Sequence, residues 1–394
     1  MKNLLLATTV ICAASLTAAA QGGIDNIVAS VLHNNARLKA ARSQVSSDSI
    51  ALRASNNLED PQVAFEYNFG SKNVGDKWGI GVSQGFEWPG VYSDRNRANS
   101  HRIEALSSAA KAEAVETRLA ARSLCIDIVY ANRQIEAQEL ILKNVAELYS
   151  LYSKAFEHGE TSIIDLNKIK IERIAASQAL DELKARRNSL KEQLCGMNGN
   201  KPIEGINLDY LNDYPTEELA AIDVYRNQYE SNNPQADYFT HLDNSLKSDV
   251  KAAKKGWLPK LELGYQYTNE LGDGFNGVTV GASIPIFSNK RKVAAAKAEA
   301  VANELHRTTY ENETEARIKS EYAQAVALKS QLAQYFDIIA DNNNFTVLRK
   351  ALDGGQITLL NYLLELRYFL DAKNKYLDIE HTYHATLTSL SRYE

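Results

Sequence analysis

Glu380, His381 and His384 set a carboxylate and two imidazoles within about one helical turn, a donor set able to hold a divalent cation. The competing reading is a solvated helix face, and it is the stronger one, because the seven histidines show no other clustering. Cys125 and Cys195 each lie 35 positions from residue 160. A helical hairpin turning there holds them at one height, which allows a disulfide; the alternative is two buried thiols. No CxxC spacing is present for zinc or redox chemistry. There is no Gly-x-x-x-x-Gly-Lys-Ser/Thr loop for a nucleotide, and no grouping of nucleophile and base. The sequence therefore argues against an enzyme, with no catalytic, cofactor-binding or metal residue assigned.

A different chemistry is written twice. Gly159–Lys170 reads GETSIIDLNKIK and Gly355–Leu366 reads GQITLLNYLLEL, 196 positions later. Glycine repeats glycine, Ser162 repeats as Thr358, two aliphatics follow, and Asp165 repeats as Asn361. A glycine that stops one helix and a hydroxyl that caps the next make a tight turn at the tip of a helical hairpin. Ile163-Ile164 and Leu359-Leu360 add two adjacent aliphatics beside each tip. One of each pair can face the helical seam; the other stays exposed unless a partner covers it.

The elements behind these tips follow from the helix breakers. Val91–His158 and Ile286–Asp353 are each 68 residues without glycine or proline, and Ile24–Asp60, Glu160–Cys195 and Gln356–Glu394 are shorter stretches of the same kind. All read as helices; at 1.5 Å per residue the longest reach roughly 100 Å. Ala176, Leu180, Leu183, Leu190 and Leu194, and again Leu359, Leu363, Leu366, Leu370 and Leu377, fall at three- and four-residue steps, as in coiled-coil-like packing.

Four strands separate these helices. Residues 61–70 alternate Val63, Phe65, Tyr67 and Phe69 against Gln62, Ala64, Glu66 and Asn68. Residues 78–88, 260–268 and 277–286 alternate in the same way, with Glu87, Lys260 and Glu262 on the polar side. About ten residues of apolar-out, polar-in alternation is the pattern of a transmembrane barrel strand. Four strands cannot close such a barrel, and open edges in lipid leave backbone groups unpaired. Several chains must share one barrel: two give eight strands and three give twelve.

The 394 residues thus divide into a signal peptide at 1–20, a first repeat at 21–195 with its tip at 159–165, a linker at 196–231, and a second repeat at 232–394 with its tip at 354–361. Lys2, the apolar run Leu4–Leu16 and Ala18-Ala19-Ala20 carry the export signal. Thr9-Val10-Ile11 before Cys12 makes a poor lipoprotein signal, so a free N-terminus near Gln21 is expected. Loss of Lys2 leaves 43 basic against 49 acidic side chains, a net charge of −6. No basic cluster with interleaved aromatics points to nucleic acid, and no later apolar run of 18 residues makes a membrane helix.

The twin tips, the Trp257-Leu258-Pro259-Lys260-Leu261 entry to a strand, the Gly281–Phe287 exit and Asn233-Pro234-Gln235 together resemble the outer-membrane efflux protein (TolC) family over the whole mature chain. Gln84–Val91 resembles the heavy-metal (CusC- or CzcC-like) subgroup. The resemblance implies a mainly α fold with a small β part, built as two tandem helix-strand-strand-helix-helix repeats. It implies a homotrimer whose twelve strands form one barrel in outer-membrane lipid, continued by long helical hairpins as a periplasmic tunnel. It further implies a periplasmic adaptor and an inner-membrane pump as partners in tripartite efflux or type I secretion. On this reading Gly159, Ser162, Ile164, Asp165, Gly355, Thr358, Leu360 and Asn361 form the adaptor-docking end. Glu66, Glu87, Lys260 and Glu262 face the lumen, either as a filter or as charge that any wet channel tolerates. Family channels often close the second tip with acidic residues. Here Asn361 and Leu364 stand in that region, which puts an acidic gate in doubt. The competing functions are a periplasmic coiled-coil adaptor and a structural protein without a pore.

Overall fold

Long stretches without glycine or proline become long helices because every residue type in them tolerates helical backbone. The computed structural model describes residues 22–71, 75–287, 289–339 and 344–394. The expected signal peptide lies outside the described residues. In chain order the elements are α1 (Gly22–Asn34), α2 (Ala36–Ala54), β1 (Gln62–Asn68), β2 (Lys77–Phe86), α3 (Pro89–Glu157), α4 (Ile163–Met197), α5 (Ile222–Asn232), α6 (Pro234–Lys255), β3 (Lys260–Glu270), β4 (Asp273–Ser283), α7 (Lys292–Ile339), α8 (Asn344–Asp353) and α9 (Leu359–Leu390). The fold is mainly α with one small antiparallel sheet.

α3 is a single helix of 69 residues with Pro89 at its first position, where the missing N–H costs nothing. The stretch Ile24–Asp60, expected as one helix, is instead broken at Asn35. The Asn35 side chain accepts the Leu38 N–H at 3.1 Å and caps α2. Asn233 does the same for α6, accepting the Gln235 N–H at 3.0 Å. A short amide that satisfies a helix-start donor ends one helix and opens the next. The linker expected at 196–231 begins inside α4, which runs to Met197, and ends inside α5; between them the chain is irregular as far as Ala221 apart from one 3₁₀ turn. The second long stretch forms α7 and α8, and residues 340–343 between them lie outside the described residues.

The four strands pair in the order β1-β2-β3-β4, all antiparallel. Their limits differ from the expected ones for local reasons. β4 stops at Ser283, so Ile284 and Ile286 fall outside it; Pro285 has no N–H for a ladder. β2 stops at Phe86, before Glu87, Trp88 and the start of α3. β1 stops at Asn68, and the Asp76 carboxylate accepts the Gly70 N–H at 3.0 Å to close that end. The polar stretch Asn269–Asn276, expected as a loop, belongs mostly to β3 and β4. Only Leu271 and Gly272 turn, with φ of 56° and 94°. Two successive positive φ angles make the hairpin turn that matches strand twist.

Two compact units result, and they cut across the two repeats. One takes in residues up to Asn34, Ala120–Glu218 and Leu328–Ala385; it holds both tips. Its cores are Ile27, Val31, Cys125, Ile126, Ile128, Val129 and Leu194, and separately Val145, Leu148, Ile169, Leu359, Tyr362 and Leu366. Of the expected seam residues, Ala176, Leu180, Leu194, Leu359, Leu366 and Leu377 are buried. The other unit takes in Asn35–Leu119, Leu219–Ala327 and Thr386–Glu394, and holds the whole sheet.

Candidate functional site

The two tips share one geometry. Gly159 has a φ of 75° and Gly355 a φ of 66°. Around Gly159, the Glu160 N–H bonds the Ala155 carbonyl at 2.8 Å and the Gly159 N–H bonds that of Phe156 at 3.0 Å. Around Gly355, the Gln356 N–H bonds Ala351 at 2.8 Å and the Gly355 N–H bonds Leu352 at 3.0 Å. Both are Schellman closures, which need a left-handed residue and so favour glycine. The next helix starts alike in each. Ser162 Oγ accepts the Asp165 N–H at 3.1 Å, and Thr358 Oγ1 accepts that of Asn361 at 3.3 Å. Ser162 also donates to the Asp165 carboxylate at 2.8 Å, and Lys168 Nζ lies 3.2 Å from that group. These two partners, Ser162 first, hold the Asp165 carboxyl below the usual carboxylate range.

The aliphatic pairs differ between tips. Leu359 is buried at 7 % and Leu360 stands 53 % exposed. In the first tip both Ile163 and Ile164 are more than half exposed. The tips therefore carry three uncovered aliphatics within one compact unit. Asn361 is exposed and holds no charge, while Leu364 beside it is also exposed.

In the other unit the sheet has one apolar and one polar face. Val63 pairs Val82, Phe65 pairs Ile80, Val82 pairs Tyr265, Leu263 pairs Val280 and Tyr265 pairs Val278, all on one side. Among the described residues nothing covers them: Phe65 is 65 % exposed and Val280 73 %. On the opposite side Gly79, Gly81, Gly264 and Gly281 leave a hollow of about 290 Å³, edged by Gln62, Glu66, Glu262, Gln266 and Thr279. Glu66 and Glu262 thus lie where the alternation placed them. Glu87 and Lys260 do not stand free. Lys260 Nζ lies 2.8 Å from Glu59 and 3.4 Å from Glu87, and Arg95 holds Glu87 at 2.7 Å. Burial pushes the Glu87 carboxyl up, but Arg95 and Lys260 outweigh it and keep it below its usual range. Glu59 escaped the sequence because nothing in its local pattern marks a partner 201 residues away; Arg95 lies only eight residues from Glu87, but across the break between β2 and α3, where no single period aligns the two.

Glu380, His381 and His384 do not converge. Glu380 pairs with Arg133, His381 Nε2 meets Asp127 at 2.6 Å, and His384 stacks on Tyr214 with ring centroids 4.3 Å apart. The solvated helix face held as the stronger reading is corrected, since all three side chains are half-buried in separate contacts, and the metal alternative falls with it because their donors do not converge. Cys125 and Cys195 are free thiols, as the alternative to a disulfide had it, but only Cys125 is buried; Cys195 is partly exposed. Cys125 is buried among isoleucines, and that burial pushes its thiol up to about 12. No described helix is long and apolar enough to cross a membrane.

No protein-family model matches the sequence, and no curated protein matches it. Solved structures do match. The chain is similar to the CmeC outer-membrane channel of Campylobacter jejuni, with a TM-score of 0.77 at 16% identity, over 94% of this chain and 85% of that one. It is similar to the open MtrE outer-membrane channel of Neisseria gonorrhoeae, with a TM-score of 0.71 at 16% identity, over 94% and 88%. It is similar to CusC, a protein described as forming a transmembrane channel, with a TM-score of 0.74 at 15% identity, over 94% and 92%. The three scores do not single out the heavy-metal subgroup.

Proposed function

We propose that this chain, which has the fold of the outer-membrane efflux channels, is itself a passive exit duct of that kind. It would conduct substrates from a periplasmic adaptor and inner-membrane pump to the outside. The observation that carries this reading is the sheet: strands of seven to eleven residues, one uncovered apolar face, one glycine-lined polar face and two edge strands, β1 and β4, each paired on one side only. An apolar face of this size is at home in lipid. The unpaired edges of β1 and β4 suit closure with copies of the same chain, and a trimer supplies twelve strands. The sequence carries no nucleotide-binding loop, so the energy for transport comes from the partner.

The twin tips are the docking end for the adaptor. Two tips in each of three chains give six similar turns, each presenting exposed aliphatic side chains beside a rigid closure. Asn361 supplies no charge at the second tip, so an acidic ring there does not set the gate. Glu66 and Glu262 give the duct wall its charge, while Glu87 and Lys260 hold the root of the sheet. An adaptor or a pore-free structural protein would have no use for membrane-length alternating strands.

The deciding experiment is membrane fractionation followed by the native mass of the detergent-solubilised protein. A trimer recovered from the outer membrane is expected. A monomer that stays soluble without detergent would overturn the reading.

A further inference from the structure

Within the sheet-bearing unit, α3 and α6 lie side by side. Ser245 Oγ donates to the Ala98 carbonyl at 2.9 Å, and Arg102 meets Asp249 at 2.9 Å. Beside these fastenings, within about a turn of them, sit His101 and Glu104 on α3 and His241 on α6. Residues three apart on a helix share a face, so His101 and Glu104 point together. Glu104 Oε2 lies 2.9 Å from His101 Nδ1 and 3.1 Å from His241 Nδ1. One oxygen is thus shared by two imidazoles contributed from two helices.

We propose that His101, Glu104 and His241 form a binding site for a borderline divalent transition metal, Zn²⁺ or Cu²⁺. The three donor atoms all lie within 4.8 Å of one another. Metal bonds of about 2.0–2.1 Å in tetrahedral geometry separate donors by roughly 3.3 Å. The two nitrogen–oxygen separations are already within a few tenths of an ångström of that value. The neighbouring contacts fasten α3 to α6, so no long loop has to be ordered to bring the ligands together. Two imidazoles and one carboxylate leave a fourth position for water or an outside ligand, the donor count of open zinc sites. Imidazole nitrogen favours zinc and copper; calcium and magnesium take mostly oxygen, and cuprous copper prefers sulfur. All three side chains are partly open to solvent, which gives the ion a way in.

The position has a structural consequence. α3 follows β2 and α6 precedes β3, and these strands are the pair through which the two repeats join. A bound metal therefore pins the two helices that lead out of that pair.

The test uses the full-length protein in detergent, stripped with a chelator. Zn²⁺ is titrated by calorimetry and Co²⁺ by visible absorption. The wild type is expected to bind about one ion per chain tightly, with Co²⁺ giving the intense bands of a four-coordinate site. His241→Ala and Glu104→Gln should each weaken binding by more than the roughly 10–100-fold that loss of an outer-shell partner costs. Wild-type binding no tighter than that of the His101→Ala/His241→Ala variant would overturn the proposal. X-ray absorption at the zinc edge of the wild type decides the matter even if the variants fail to fold. Two imidazoles with oxygen are expected, and a shell without imidazole overturns the site.

Discussion

Gly159 and Gly355 hold the same left-handed backbone, 75° and 66° in φ, at equivalent turns 196 residues apart. In both, a Cβ would meet nothing within 4 Å. The cost of a side chain there is therefore conformational and not steric.

A left-handed L-residue costs about 1–2 kcal/mol, more for a β-branched one. Replacing both glycines with valine should deform the tips and abolish efflux while leaving trimers intact. Asparagine, which tolerates left-handed backbone, should keep most of the activity. Dye accumulation in cells, set beside native mass, reads both effects; full efflux in the valine variant would remove the tips from docking.

The two faces of the sheet should answer charge oppositely. Val280→Lys on the uncovered apolar face is expected to cost about 2–4 kcal/mol near mid-membrane and to reduce outer-membrane assembly. Gln266→Lys on the polar face should assemble normally. Quantifying trimer in the outer-membrane fraction distinguishes them, and equal yields would mean that the faces are misassigned.

Lys260 should matter less than its two acidic partners suggest. Its side chain is 44% exposed, and exposed ion pairs contribute about 0–1 kcal/mol. Lys260→Met should lower the melting temperature only slightly. Arg95→Met should lower it more, because Arg95 is the closer partner of the less exposed Glu87.

His384 predicts acid sensitivity. Burial, then the charge of Arg133, pushes its imidazole down to about 4. The neutral ring is the folded form. Its stabilisation is complete above the unfolded pKa of about 6.5 and is lost as pH falls toward 4, in all about 3 kcal/mol. Thermal unfolding from pH 7 to pH 4.5 should drop less in His384→Phe, which keeps a ring against Tyr214. Parallel curves for the two proteins would assign the acid response elsewhere.

Thiol chemistry should separate the cysteines. A maleimide reagent is expected to modify Cys195 in the native protein and Cys125 only after denaturation, since Cys125 is buried. Mass spectrometry without reductant reads this directly, and two unreactive sulfurs after denaturation would indicate a bond.

The sequence by itself determined the parts that depend on near neighbours. The lengths of α3 and α4 follow from the spacing of glycine and proline, strand faces from alternation, and the tips from glycine and hydroxyl at fixed offsets. Those rules act over a few residues, so Gly159, Ser162, Gly355 and Thr358 were legible. So were the faces of Val63, Phe65, Leu263 and Val280. Tertiary structure alone decided what lies opposite what. It paired β2 with β3 across the repeats, extended β3 to Glu270 and turned the chain at Leu271 and Gly272. It took Glu380, His381 and His384 to three different partners, and it brought His241 to Glu104 across 137 positions. Long-range proximity depends on how whole helices pack, and no local period records it.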